Sequence, residues 1–215
     1  MRPNPAATPA RFFGLVLLLL PVTFVAWYAL GSLLAAPAVW LSSLVLSNWF
    51  PELIDTVTLN NTQMMVMATL GEVDGKIMPA AEAGYQLGLP VDTRVLTYSI
   101  PFYAALHFAT PMPGSWERFA RALLLLWLLV ILGLVSTTLK NFMLTFGERL
   151  TELPQSPSAD VIALAYQFNT LIVPPVAPIL LWGLAVRNTP VMRSLFPAAL
   201  VQTSAADNDE PEDQR

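Results

Sequence analysis

Hydrolysis inside a membrane needs a nucleophile and a base to take its proton, and the sequence limits both. His107 is the single histidine, so any serine mechanism must use it. Ser42, Ser43, Ser99 and Ser136 lie in or near apolar stretches, yet no serine stands in a Gly-x-Ser-x-Gly turn. An aspartyl mechanism needs two carboxylates sharing a site. No Asp or Glu falls within the apolar stretches 12–30, 95–112, 119–139 and 161–186. The absence of cysteine removes thiol catalysis, iron–sulfur clusters, thiolate metal sites and disulfides. Met64, Met65 and Met67 suggest a soft copper ligand set. Neighbours on a strand face opposite sides, however, so at most Met65 and Met67 act together, and packing accounts for them. The sequence therefore predicts a protein that is not an enzyme, with no catalytic residue, cofactor or metal, and a serine protease built on His107 is its weakest reading.

Binding chemistry is better represented. Tyr166, Gln167 and Asn169 stand at the start of an apolar stretch, where an unpaired amide costs several kcal/mol, about what any unsatisfied polar group costs in hydrocarbon. They are expected to have partners, either another helix of this chain or a helix of another protein. His107 carries two readings: a contact for a partner, or a neutral ring hydrogen-bonded near a helix end, just before Pro111 and Pro113. Pro174, Pro175 and Pro178 remove helical hydrogen bonds and free carbonyls. A helix broken in this way lines substrate paths in transporters, so a small transporter or permease subunit is the alternative function. The charged groups and the repeated partner segment of such proteins are missing, which favours packing.

The elements that must position these residues follow from composition. Of 215 residues 55% are apolar and 12% charged, and mean hydropathy is +0.56, which places the chain in lipid. A net charge of -4 offers no basic face for a nucleic-acid partner. Residues 1–11 read as a cytoplasmic arm, and 12–30 as a retained membrane helix in preference to a signal peptide, with Trp27 and Tyr28 as interfacial anchors. Residues 31–50 stay apolar around Gly31 and Pro37, and either continue the first helix or lie at the far surface with Trp40 and Trp49 in the headgroups.

Acidic residues and glycines then mark 51–94 as an extracytoplasmic β-rich domain. Thr56–Leu59 and 62–70 form two strands across an Asn60-Asn61 turn, 71–75 turns the chain again, and a third short strand is expected because a lone hairpin is marginal. Residues 95–187 hold three more membrane helices, the first of them short, and 188–215 read as an acidic cytoplasmic tail with too little apolar surface to fold. The expected fold is therefore mainly α, with about four transmembrane helices and a small exterior β hairpin domain. With both termini cytoplasmic, seven basic residues lie inside (Arg2, Arg11, Arg118, Arg121, Arg187, Arg193, Arg215) and four outside (Lys76, Arg94, Lys140, Arg149). That balance agrees with the positive-inside rule and predicts a multi-pass protein of the bacterial inner membrane.

Three blocks carry a family resemblance. Arg11-Phe12-Phe13 opens a leucine-rich span, followed by a Trp-containing helix ending in Asn48-Trp49-Phe50-Pro51-Glu52-Leu53. Leu96-Thr97-Tyr98-Ser99-Ile100-Pro101 leads into Ala104-Ala105-Leu106 and Ala109-Thr110-Pro111. Ala163-Leu164-Ala165-Tyr166-Gln167-Phe168 runs through Leu171-Ile172-Val173-Pro174 and Pro178 to Leu181-Trp182. In this order the chain resembles the exosortase H-associated membrane proteins, small bacterial inner-membrane proteins encoded beside an exosortase; residues 71–90 have no counterpart in the pattern. The resemblance implies an accessory of a protein-sorting system, bound to membrane lipid and to an exosortase-like membrane protein partner, and it brings no catalytic residue with it. The residues expected at that interface are Tyr98, Pro101, His107, Tyr166, Gln167 and Asn169.

Overall fold

The computed structural model describes residues 9–187 together with Thr189 and Met192; the rest of the expected arm and the acidic tail lie outside the described residues. The first helix, α1 (Pro9–Ala29), starts on a proline, whose missing N–H costs nothing in a first turn. The second, α2 (Gly31–Trp49), follows almost without interruption. Leu30 takes φ -102° and ψ 13°, yet its N–H bonds Ala26 O and its carbonyl accepts from Leu34 N–H. The two helices are thus one bent rod with no loop in which the chain could reverse. At about 1.5 Å per residue the rod reaches about 60 Å, twice a hydrocarbon core of about 30 Å.

After α2 the chain folds back as β1 (Ile54–Asn60) and β2 (Gln63–Ala68). Asn60 still pairs with Gln63, so the turn is Asn61-Thr62, one residue later than the sequence suggests. Asn61 takes φ 53° there, a conformation asparagine tolerates and β-branched residues do not. Next, β3 (Leu70–Val73) and β4 (Lys76–Pro79) form a second hairpin across Asp74-Gly75, both at positive φ as a type I′ turn requires. After the short α3 (Ala80–Ala83), β5 (Gly88–Asp92) supplies the expected third strand, giving a sheet of order β1-β2-β5.

The chain then descends through α4 (Arg94–Thr97) and α5 (Ser99–Phe108), rises through the 32-residue α6 (Ser115–Phe146), turns at α7 (Glu148–Thr151), and descends again through α8 (Ala159–Gln167), a π-helical stretch (Phe168–Ile172) and α9 (Val173–Val186). Four helices are long and apolar enough to cross a membrane: α1, α2, α6 and the composite Ala159–Val186. The expected span 95–112 is not among them, because it breaks at Tyr98 into two short helices. It nevertheless makes a full descent, from Thr93 beside the hairpin turn, where Thr93 donates to Thr62 O, to Thr110 beside Trp182.

Two cores divide the molecule into storeys. In one, Leu46 of α2, Phe50 just after it, and Leu134 and Phe142 of α6 close over Met64, Val66 and Val91 of the sheet. In the other, Phe12 and Val16 of α1 meet Ile100, Tyr103, Leu126 and Trp182. The long α6 belongs to both, and its Trp127 packs against each. Close approach is set by small residues. A Cβ on Gly133 of α6 would stand 2.7 Å from Leu96 Cδ2, and one on Gly31 would stand 2.9 Å from Thr62 Cγ2. Indole N–H groups tie distant segments: Trp27 to Thr97 Oγ1, Trp49 to Gln155 O, Trp127 to Leu34 O and Trp182 to Thr110 Oγ1. In the storey built on α1, the outer surface is apolar; Leu17, Val25, Leu128 and Leu180 are all exposed, a surface suited to lipid and not to water.

Candidate partner interface

The prolines that break the last helix also shape its exposed face. Pro174 and Pro175 offer no N–H to the carbonyls of the preceding turn, and that turn widens into the π-helical stretch Phe168–Ile172. Asn169 sits inside it, half-buried, with Nδ2 donating to Ala165 O at 3.0 Å. Thr170 Oγ1 is buried without a hydrogen-bond partner. Tyr166, also half-buried, receives the Lys140 ammonium 4.9 Å from its ring centroid, which fastens α8 to α6. Gln167 is exposed. Around it Leu164 and Leu171 are 68% and 67% exposed, and Phe168 is 51% exposed. A primary amide thus stands in the middle of an uncovered apolar stripe.

The α4–α5 candidates behave differently. Tyr98 forms the joint between the two helices and is half-buried, whereas Pro101 is buried in α5. The neighbouring Ser99 lines, with Asn169 and Pro174, a void of about 10 Å³, room for a single water.

His107, expected among the partner contacts, is fully enclosed. Its Nδ1 lies 3.1 Å from Tyr103 Oη, and its Nε2 lies 2.9 Å from Ser115 O and 3.0 Å from Ser115 Oγ. A carbonyl only accepts, so Nε2 carries the proton and Nδ1 accepts from the Tyr103 hydroxyl. Both ring nitrogens are satisfied within the chain and none is left for a partner. Ser115 is a residue that sequence reasoning missed. It pairs with His107 across the turn containing Pro111, Pro113 and Gly114, eight positions away. With the proton on Nε2, the nitrogen facing Ser115 Oγ is a donor in this arrangement.

A second feature lies where the β1–β2 turn meets the bend between α1 and α2. Tyr28, Ser32, Asn60, Gln63 and Arg94 surround a polar crevice of about 540 Å³. The Arg94 guanidinium sits 4.5 Å above the Tyr28 ring, with its Nε buried and unpartnered. Neither residue is marked by periodicity, and only the fold brings them together.

A family model for exosortase H-associated membrane proteins matches residues 6–189. The chain belongs to that family. No curated protein and no solved structure matches it. The match runs from the start of α1 through the end of α9, so this exosortase H-associated membrane protein carries the whole helical frame and the sheet between its first and last spans within the family's extent. The expected membrane character and the expected link to an exosortase system agree with it.

Proposed function

We propose that this protein is a non-catalytic, multi-pass accessory of an exosortase-type sorting system in the bacterial inner membrane, and that it acts by holding a membrane protein partner against the α8–α9 face. Both termini are cytoplasmic in this reading, with the sheet and α2 outside. Residues 12–50 form the first crossing and its extension, 51–94 the exterior domain, and 95–187 the remaining three passes. The family supports the association with exosortase, and the excess of arginines near the ends of α1, α6 and α9 supports the orientation. The carrying observation is Gln167, an exposed amide ringed by Leu164, Phe168 and Leu171. In hydrocarbon such a group is costly unless another helix accepts its hydrogen bonds. Tyr166 and Asn169 flank that surface, and Tyr98 and Pro101 border Ser99, which lines a small void together with Asn169.

The test is site-specific photo-crosslinking in cells that also express the exosortase. A photoreactive residue at position 164 or 168 is expected to give a discrete adduct with the exosortase or a membrane protein bound to it. The same residue at position 128, on the lipid-facing side of α6, is expected to give none. Equal labelling at 128 and 164, or no protein adduct at either α8 position, overturns the reading.

A further inference from the structure

At the opposite end of the molecule from the sheet, the N-terminal turns of α6 and the C-terminal turns of α9 leave an open groove of about 780 Å³. Arg118, Arg121 and Arg187 line its mouth, and Leu125, Leu181 and Leu184 line its wall. Arg121 forms an ion pair with Glu117 at 3.0 Å, and both side chains are largely exposed. Arg118 reaches only the Met112 sulfur, 3.9 Å away. Arg187 meets no carboxylate among the described residues. Two guanidinium groups therefore lack an anion among the described residues, at a place where the adjoining surface is apolar, with Leu125 50% and Leu184 64% exposed. Trp116, 75% exposed two residues before Arg118 and five before Arg121, sits as an aromatic anchor does at the level of the headgroups.

We propose that this groove is a binding site for an anionic phospholipid. The phosphate lies between Arg118 and Arg187, with Arg121 at the rim, and one acyl chain runs along Leu125, Leu181 and Leu184. The ligand must be amphiphilic, because the cations and the leucines belong to one continuous surface. It must be anionic, because planar guanidinium forks match phosphate oxygens and a zwitterionic headgroup would bring its own cation against them. Basic pockets between membrane helices bind acidic headgroups in this manner, and each arginine near such a surface is worth about 1 kcal/mol, or about fivefold in affinity. The site does not depend on the partner reading, since it uses the other end of the helices.

The test uses the full chain in nanodiscs of phosphatidylcholine with a minor fraction of phosphatidylglycerol, scoring by native mass spectrometry which lipid stays bound. The wild type is expected to retain phosphatidylglycerol at least tenfold over its bulk fraction. In the double variant Arg118→Gln/Arg187→Gln the enrichment is expected to fall to near parity. Arg118→Lys/Arg187→Lys, which keeps the charge, should retain part of it, and Lys76→Gln in the distant β4 should leave it unchanged. Soluble glycerol phosphate at millimolar concentration should not displace the lipid, because it lacks the acyl chain. Three results overturn the proposal. One is equal retention of both lipids by the wild type, and another is full enrichment in the double glutamine variant. The third is enrichment that appears only after residues 201–215 are removed, which would assign the groove to the acidic tail.

Discussion

Phe12, in the first turn of α1, stacks on Trp182, near the end of α9, with ring centroids 5.1 Å apart and planes 20° from parallel. The first and last helices of the chain therefore meet at one end of the bundle. Trp182 also donates its indole N–H to Thr110 Oγ1, just beyond the end of α5, so three descending or ascending passes are joined at one ring. Trp182→Ala is expected to destabilise the protein by about 3–5 kcal/mol. Trp182→Phe, which keeps the stack and loses the hydrogen bond, should cost about 1 kcal/mol. Thermal unfolding of both variants in mild detergent measures the difference, and equal losses would remove the aromatic stack as the cause.

The same stack bears on topology. Reporter fusions after residue 187 and before residue 9 are expected to report the same compartment, and a fusion within the β3–β4 turn the opposite one. Termini on opposite faces would break the four-pass reading.

His107 ties Tyr103 on its own helix to the first residue of α6. His107→Ala leaves the Ser115 carbonyl without its donor and should cost about 1–3 kcal/mol. Tyr103→Phe removes one neutral hydrogen bond and should cost about 1 kcal/mol or less. Neither variant should change retention of an exosortase partner once the protein is folded. Loss of that retention at wild-type stability would return His107 to the interface.

Gly133 is where α6 passes α4. A Cβ there lies 2.7 and 2.9 Å from the two methyls of Leu96, so Gly133→Ala is expected to lower stability by about 1–3 kcal/mol through overpacking. Leu96→Ala by itself opens a cavity, but the double variant Gly133→Ala/Leu96→Ala should recover part of the loss. Additive losses in that cycle would mean that the two residues do not limit each other.

Much of this architecture is legible in the sequence because lipid and water leave different compositions. The apolar stretches of α1, α6 and the last helix stand out, and the β-branched alternation around Asn61 announces a hairpin. What escapes detection depends on non-local packing. Residues 31–50 look the same whether they bend away from α1 or continue it, and only the helical hydrogen bonds through Leu30 decide. The expected helix over 95–112 splits because Tyr98 ends one turn and Ser99 starts another, a break that no glycine marks. Ser115 and Arg94 are missed for a related reason. Each acquires its neighbours through a turn or a strand register, and neither has a motif of its own. The argument of a costly polar group in lipid marks Gln167, Asn169 and His107 alike; the fold leaves Gln167 exposed, bonds Asn169 to Ala165 O and gives both ring nitrogens of His107 partners within the chain.

That contrast gives the remaining prediction. Gln167→Leu replaces an exposed amide by an apolar side chain on a helix face that is already apolar, so the monomer should keep its fold and its unfolding temperature. If a partner helix accepts the amide's hydrogen bonds, the complex should lose about 1–2 kcal/mol, a weakening of about fivefold to thirtyfold. Gln167→Asn shortens the side chain by one methylene and should weaken the complex less. Asn169→Ala acts differently, because its amide bonds Ala165 O within the helix; it should lower stability and leave the affinity of the folded fraction nearly unchanged. Titration of the purified protein into nanodiscs containing the exosortase separates these cases. Identical affinities for wild type and Gln167→Leu would show that the amide faces lipid headgroups or water, and the partner surface would then have to lie on the exterior sheet.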